Sequence, residues 1–272
     1  MSIIRVFPRR TALTPNDALS FVGDPPMFRP QADEVHVSVT FTWDIEEGHR
    51  LVDAWAQYYD DVHIGGPAMG SRPDGFIQGR YLKPGITFTS RGCNNRCPWC
   101  LVREREGKLA EIRDFAEGNI IQDNNLLQCS RRHLDRVFAM LRTQHTIYFS
   151  GGLDARLVTD QVADDLRGLR TKALFFASDT DEAVIPLEKA VRKLHMSREK
   201  VRCYVLMAFN GTTIDQCEER LQRVWHAGAM PFAQLYQPPG ERIDYSKEWR
   251  RLQKTWSRPA AMKAHMGYRR EA

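Results

Sequence analysis

Three cysteines on one short loop constrain this chain more than any other feature. In Gly92-Cys93-Asn94-Asn95-Arg96-Cys97-Pro98-Trp99-Cys100 they are spaced C-x3-C-x2-C, directly after the strand-like run Ile86-Thr87-Phe88-Thr89-Ser90. Three thiolates so placed can each hold one corner of an iron–sulfur cluster, whereas a fourth would close every iron. One iron then stays open to a further ligand, by the logic that separates catalytic from structural zinc sites. A structural zinc ion wants a fourth ligand close by, and between His63 and Cys129 the only His or Cys residues are the three in the loop. Six cysteines in 272 residues, behind a start from Met1 to Arg10 with no apolar signal segment, read as an intracellular chain rather than a disulfide framework.

From Gly85 the pattern is strand then helix, repeated, which predicts a parallel sheet with crossover helices over residues 85–245. Strands are expected at Ile86 to Ser90, Asn119 to Gln122, Thr146 to Phe149, Ala173 to Ala177, Val201 to Phe209 and Pro231 to Tyr236, the fifth reading as a strand buried on both faces. Helices are expected from Ser130, Thr159 and Asp181, and a fourth from the capping box Thr213/Gln216. The strands end in small polar residues: Asp123-Asn124-Asn125, Gly151-Gly152 followed by Asp154 and Arg156, Ser178-Asp179, Asn210-Gly211, and Tyr236-Gln237. In barrels built of strand–helix repeats, sites form at those strand ends.

The flanks differ from this core. Residues 1–34 hold five prolines and read as an extended arm. Residues 35–84 read as a small Rossmann-like α/β unit plus linker: Val35 to Phe41 alternates as a strand, Asp44 and Glu47 offer a capping box for a helix to about Tyr59, and Val62-His63-Ile64 leads into Gly65-Gly66-Pro67. Residues 246–272 form a basic helix and tail that carries a charge of +6 against +5 for the whole chain, so the remainder is about neutral. Interleaved with Trp249, Trp256 and Tyr268, that tail reads either as a solvated helix face with aromatic anchors or as a surface for nucleic acid.

The cysteine spacing, with the aromatic Trp99 just before the last cysteine, resembles the radical S-adenosylmethionine (radical SAM) superfamily. The resemblance implies a six-stranded partial (β/α) barrel over residues 85–245. It also implies a [4Fe-4S] cluster on Cys93, Cys97 and Cys100, with S-adenosylmethionine on the free iron. One electron would cleave that molecule to methionine and a 5'-deoxyadenosyl radical, the protein orienting and shielding the cofactors. By the same resemblance Trp99 lies beside the adenine, and Asp123 with Asn124 and Asn125 accepts from the ammonium group. Gly151, Gly152 and Asp154 also resemble the glycine-pair-plus-acid element of that superfamily, so which strand end serves the ammonium stays open; strand order favours Asp123, with Asp154 and Arg156 facing the substrate. Ser178 and Asp179 correspond to contacts with the ribose or carboxylate, and Asn210 to the strand beside adenine. A reductant such as a flavodoxin or ferredoxin is implied.

Two rival readings remain at the level of sequence. The unit at 35–84 resembles a shortened cobalamin-binding domain, and Asp61-Val62-His63-Ile64-Gly65-Gly66 matches the D-x-H-x-x-G motif of such domains, which would make a cobalamin-dependent methyltransferase. That motif belongs on a loop after an early strand, and here His63 is expected inside a strand. The other rival is a nonenzymatic, metal-stabilised nucleic-acid-binding protein using the basic tail. Cys129, Cys203 and Cys217 show no metal spacing and are expected in the core. The longest apolar run, Cys203 to Phe209, is too short to span a bilayer, so no membrane and a cytoplasmic location are expected.

Overall fold

The computed structural model describes residues 2–69 and 81–267, so most of the expected linker and the tail residues Tyr268, Arg269 and Arg270 lie outside the described residues. The chain forms two compact units, Met1–Ile86 with Pro238–Arg242, and Thr87–Gln237 with Ile243–Ala272. Among the described residues no helix is long and apolar enough to cross a membrane.

The first unit is a four-stranded sheet of β1 (Ile3–Phe7), β2 (Ser20–Val22), β3 (Glu34–Ser38) and β4 (Val62–Gly65), in the order β2-β1-β3-β4 with all pairs parallel. The expected arm at 1–34 is therefore corrected, since it supplies two strands, one of them internal to the sheet. The signal is the alternation in Ile3-Ile4-Arg5-Val6-Phe7, where Ile4 and Val6 are buried, while the five prolines fall outside the strands. Helix α1 (Ile45–Ala56) lays Leu51 and Trp55 onto Ile4, Val6, Val35 and Val37. Burying side chains of this size stabilises by roughly 1.5–3 kcal/mol each. The Trp55 indole also donates to the Gly23 carbonyl at 3.1 Å. The expected capping box at Asp44 is corrected too: its side chain makes no cap bond, and the buried carboxylate instead accepts from Arg9 Nε at 2.6 Å.

The second unit starts with β5 (Ile86–Thr87), β6 (Ser90–Arg91), the one-turn α2 (Val102–Arg105), β7 (Ala110–Glu111) and β8 (Ile120–Ile121). Strand and helix then alternate through α3 (Arg131–Thr143), β9 (Ile147–Leu153), α4 (Asp160–Arg167), β10 (Thr171–Ala177) and α5 (Val184–Leu194). After β11 (Val201–Met207), α6 (Ile214–His226) and β12 (Met230–Leu235) come α7 (Lys247–Ser257) and α8 (Pro259–His265). The main sheet has six strands in the order β12-β11-β10-β9-β8-β5, and its pairings from β8 to β12 are all parallel. This is an α/β fold in which each strand is added beside the last. The helices between these strands pack with the sheet into one core.

Local chemistry sets three of the four helix starts as the sequence predicts, while α5 begins at Val184, three residues after Asp181, with no side-chain cap. Ser130 and Thr159 cap α3 and α4, and Thr213 with Gln216 forms a full capping box on α6. The apolar faces of these helices bury Phe138, Leu141, Leu166, Leu187 and Leu221 in one core with Phe149, Phe176 and Val205 of the sheet. One expectation changes here: β11 is not buried on both faces. Val201, Cys203, Val205 and Met207 enter the core, while Arg202, Tyr204 and Leu206 sit half-buried on the other face. Tyr204 there stacks on Phe175 at 4.7 Å and meets Phe232 edge-on at 5.7 Å. The antiparallel pair β6–β7, which the sequence does not announce, closes the base of the cysteine loop.

Candidate functional site

The cysteine loop is held at its base and along its length. Gly92 has φ +74, and a Cβ there would stand 2.3 Å from the Lys108 carbonyl oxygen, so only glycine fits. The Cys93 amide donates to the Gly107 carbonyl at 3.2 Å, and the Cys100 amide to the Cys97 carbonyl at 3.0 Å, which turns the chain around Pro98 and Trp99. The Glu106 carboxylate accepts from the Gly92 amide at 3.0 Å, from Arg91 at 2.9 Å and from Asn124 at 2.6 Å. Gln128 reaches in from the turn before α3: its carbonyl oxygen accepts from the Asn94 amide at 2.8 Å and lies 3.7 Å from Cys93 Sγ. Its amide nitrogen donates to Asn95 Oδ1 at 3.0 Å.

From Asn95 the network crosses to the end of β9. Asn95 donates to Asp154 at 3.2 Å, and Arg156 grips the same carboxylate through Nε at 2.8 Å and Nη2 at 2.5 Å. On the other side of the loop Trp99 and Asp179 line the same cavity, and the Asp179 carboxylate accepts from the Leu206 amide at 3.0 Å. Trp99 meets Phe209 edge-on at 5.5 Å, and Phe209 meets Tyr236 at 4.9 Å.

Together these elements enclose a cavity of about 430 Å³. Cys93, Cys97 and Cys100 line it with Trp99, Asn124 and Asn125. Gly151, Gly152, Asp154, Arg156 and Asp179 complete the strand-end side. Gly151 carries out a backbone approach, since a Cβ on it would lie 2.0 Å from the Asp123 carbonyl oxygen, so β9 can pass the end of β8.

Four residues expected at the site are placed elsewhere. Asp123 is 1% exposed, and its carboxylate accepts from the Thr89 amide at 2.7 Å, Thr89 Oγ1 at 2.6 Å and Ser90 Oγ at 2.6 Å, so it clamps the segment before the loop instead of facing the cavity. Ser178 is fully buried and donates to the Ala183 carbonyl at 3.2 Å, which fixes the start of α5. Asn210, exposed and at φ +52, builds the left-handed turn after β11 with Gly211. Gln237 likewise binds backbone, accepting from the Ile243 amide at 2.7 Å. The sequence gives no hint of Glu106 and Gln128, which lie 6 and 28 residues beyond Cys100 without a motif of their own.

The electrostatics distinguish the carboxylates. Burial pushes the Asp154 carboxyl up, but bonds from Arg156 and Asn95 outweigh it and hold it below the ordinary carboxylate value. Burial wins at Asp179, whose carboxyl is raised against the bond from the Leu206 amide. Burial also raises the Cys97 thiol, aided by Cys100, Asp179 and Cys93. The Cys100 thiol rises for the same first reason and by Cys93, against a bond from the Val102 amide; Cys100 keeps an exposed surface, so its shift reflects atoms packed beneath it. Without a metal, burial thus favours the protonated thiol at both positions, and a bound metal would have to displace those protons. Cys129 and Cys203 are buried and pushed up to about 12, as inert core residues.

The donor set can be tested against what it would hold. In a tetrahedral zinc–thiolate site sulfurs approach to about 3.8 Å. The three loop sulfurs are not all gathered within 4.8 Å of one another, although all three face the same cavity. Three thiols on one loop facing one cavity could supply three of the four ligands that a cube takes, one per iron. Cobalamin fits less well, because His63 lies inside β4, on a sheet face beside His36, and not on a loop after a strand. A separate concavity of about 470 Å³ is lined by Lys247, Arg250, Arg251, Lys254 and Arg258 along α7. No protein-family model matches the sequence, and no characterised protein matches it either.

Proposed function

We propose that the protein is an enzyme of radical SAM type, with a [4Fe-4S] cluster on Cys93, Cys97 and Cys100 and S-adenosylmethionine in the adjoining cavity. The single observation that carries this reading is the convergence on one cavity of three thiols, which leave a cube one ligand short, with the polar ends of β8, β9 and β10. The sequential strand order is the order a partial (β/α) barrel requires. A cluster held by Cys93, Cys97 and Cys100 would supply one electron for reductive cleavage of the sulfonium.

The chain's own residues then have distinct tasks. Of the two carboxylates considered for the ammonium group, Asp154 faces the cavity and is held ionised, so we assign that contact to Asp154 and not to Asp123. Arg156 and Asn95 keep it aimed. Gly151 and Gly152 let backbone approach the ligand. Trp99, packed edge-on against Phe209, provides an aromatic wall at the cluster loop. A flavodoxin or ferredoxin is the fitting reductant. The basic concavity along α7 favours a phosphate-bearing substrate, nucleic acid included. It is equally what a nonenzymatic nucleic-acid-binding protein would carry, and turnover separates the two.

The test is anaerobic reconstitution with iron and sulfide, then reduction with S-adenosylmethionine and chromatography for 5'-deoxyadenosine. Cys93→Ala, Cys97→Ala or Cys100→Ala is expected to abolish the product, and Asp154→Asn to raise the KM for S-adenosylmethionine more than Asp123→Asn does. Full turnover in a cysteine variant would sink the ligand assignment.

A further inference from the structure

The sheet of the first unit carries a second set of ligands, separate in sequence and in unit from the cysteine loop. β3 and β4 pair with His36 opposite His63. Strand alternation places Glu34 on the same face as His36, while Val35 and Val37 turn into the core. The two imidazole rings meet edge to face with centroids 5.4 Å apart. One ligand atom from each of Glu34, His36 and His63 lies within 4.8 Å of the other two.

Each ring also has a polar partner. His36 presents Nε2 to Glu34 Oε2 at 2.6 Å, and its Nδ1 is hydrogen-bonded to the Tyr81 hydroxyl. His63 Nε2 is 2.8 Å from Asp61 Oδ1. Ligating histidines characteristically have such a hydroxyl, carbonyl or carboxylate partner, which sets the tautomer and ring angle. Register, alternation and outer partners therefore agree, though any one alone would be an ordinary surface contact.

We propose that Glu34, His36 and His63 bind one borderline divalent ion of the zinc class, with Tyr81 and Asp61 orienting the rings. Two imidazoles and a carboxylate select such an ion over magnesium or calcium, which prefer oxygen ligands throughout. Ligands on tetrahedral zinc stand about 3.3 Å apart, so the Glu34–His36 contact opens by roughly 0.7 Å as the ion displaces the proton between them. Three protein ligands leave a fourth position for water. His63 is 58% exposed, which gives the ion a path from solvent. Bound there, the ion clips the edge strand β4 to β3.

The experiment uses the full-length chain with Cys93, Cys97 and Cys100 all replaced by Ser, which removes the thiolates that would compete. Zinc is titrated by calorimetry and cobalt by visible absorption. The expected result is one equivalent, with cobalt bands of a nitrogen and oxygen site and none from thiolate. His63→Ala and Glu34→Ala are expected to weaken binding by more than roughly 100-fold, and Tyr81→Phe by about 10–100-fold, the usual effect of losing an outer partner. His63 is exposed, so its replacement leaves the sheet core intact, and circular dichroism checks this. No binding, or binding unchanged by His63→Ala and Glu34→Ala, would overturn the proposal. Neither result bears on the cysteine loop.

Discussion

Gly151 illustrates how a single residue at the cavity is decided by a neighbour's backbone. Because the Asp123 carbonyl cannot retreat from the end of β8, Gly151→Ala should destabilise the second unit by about 1–3 kcal/mol, measured by urea unfolding. Gly152 has open space around its Cβ position, and Gly152→Ala meets backbone strain alone at φ +105. Asp154 makes a prediction with a sign. Its folded value lies below the ordinary carboxylate value, so its stabilisation is present above the ordinary range and is lost as pH falls through the lowered folded value. Asp154→Asn should therefore cost about 1–2 kcal/mol at neutral pH and nothing in strong acid. A difference that stays constant across an acid titration would contradict the assignment. Strand order favours Asp123 over Asp154 as the acceptor, although both follow a strand among small polar residues. What separates them is the hydroxyl pair Thr89 and Ser90, which fills one carboxylate, and no local pattern records a contact 33 residues away.

At the level of elements, the loop and the turn before α3 act together. Gln128→Ala removes the acceptor of the Asn94 amide and the partner of Asn95 while leaving the cap at Ser130 untouched. It should reduce iron retained per chain after desalting, with stability changed by no more than about 1 kcal/mol. Unchanged iron content would show that the loop holds its shape without Gln128. The strand–helix order of the second unit was legible because caps, periodicity and polar strand ends agree with one another. The first strands were not, because prolines between short strands give the same composition as an arm, and only the alternation of Ile4 and Val6 tells them apart. The cap at Asp44 was lost to a distant cation, Arg9, which offers two donors where a helix end offers one.

For the whole molecule, each unit has its own apolar core, and this predicts separable unfolding. Trp55→Ala should cost about 3–5 kcal/mol and lower hydrogen-exchange protection across β1, β3 and α1, while protection in β9 to β11 persists. Uniform loss of protection would mean that the two cores form one cooperative body. The functional reading likewise rests on the second unit alone, and its central claim is an iron vertex without a protein ligand. Electron paramagnetic resonance of the reduced, reconstituted protein tests that claim most directly. The account predicts a [4Fe-4S] signal that changes when S-adenosylmethionine is added and is absent from Cys97→Ala. A signal indifferent to S-adenosylmethionine, or oxygen-free protein that holds zinc and no cluster, would contradict it.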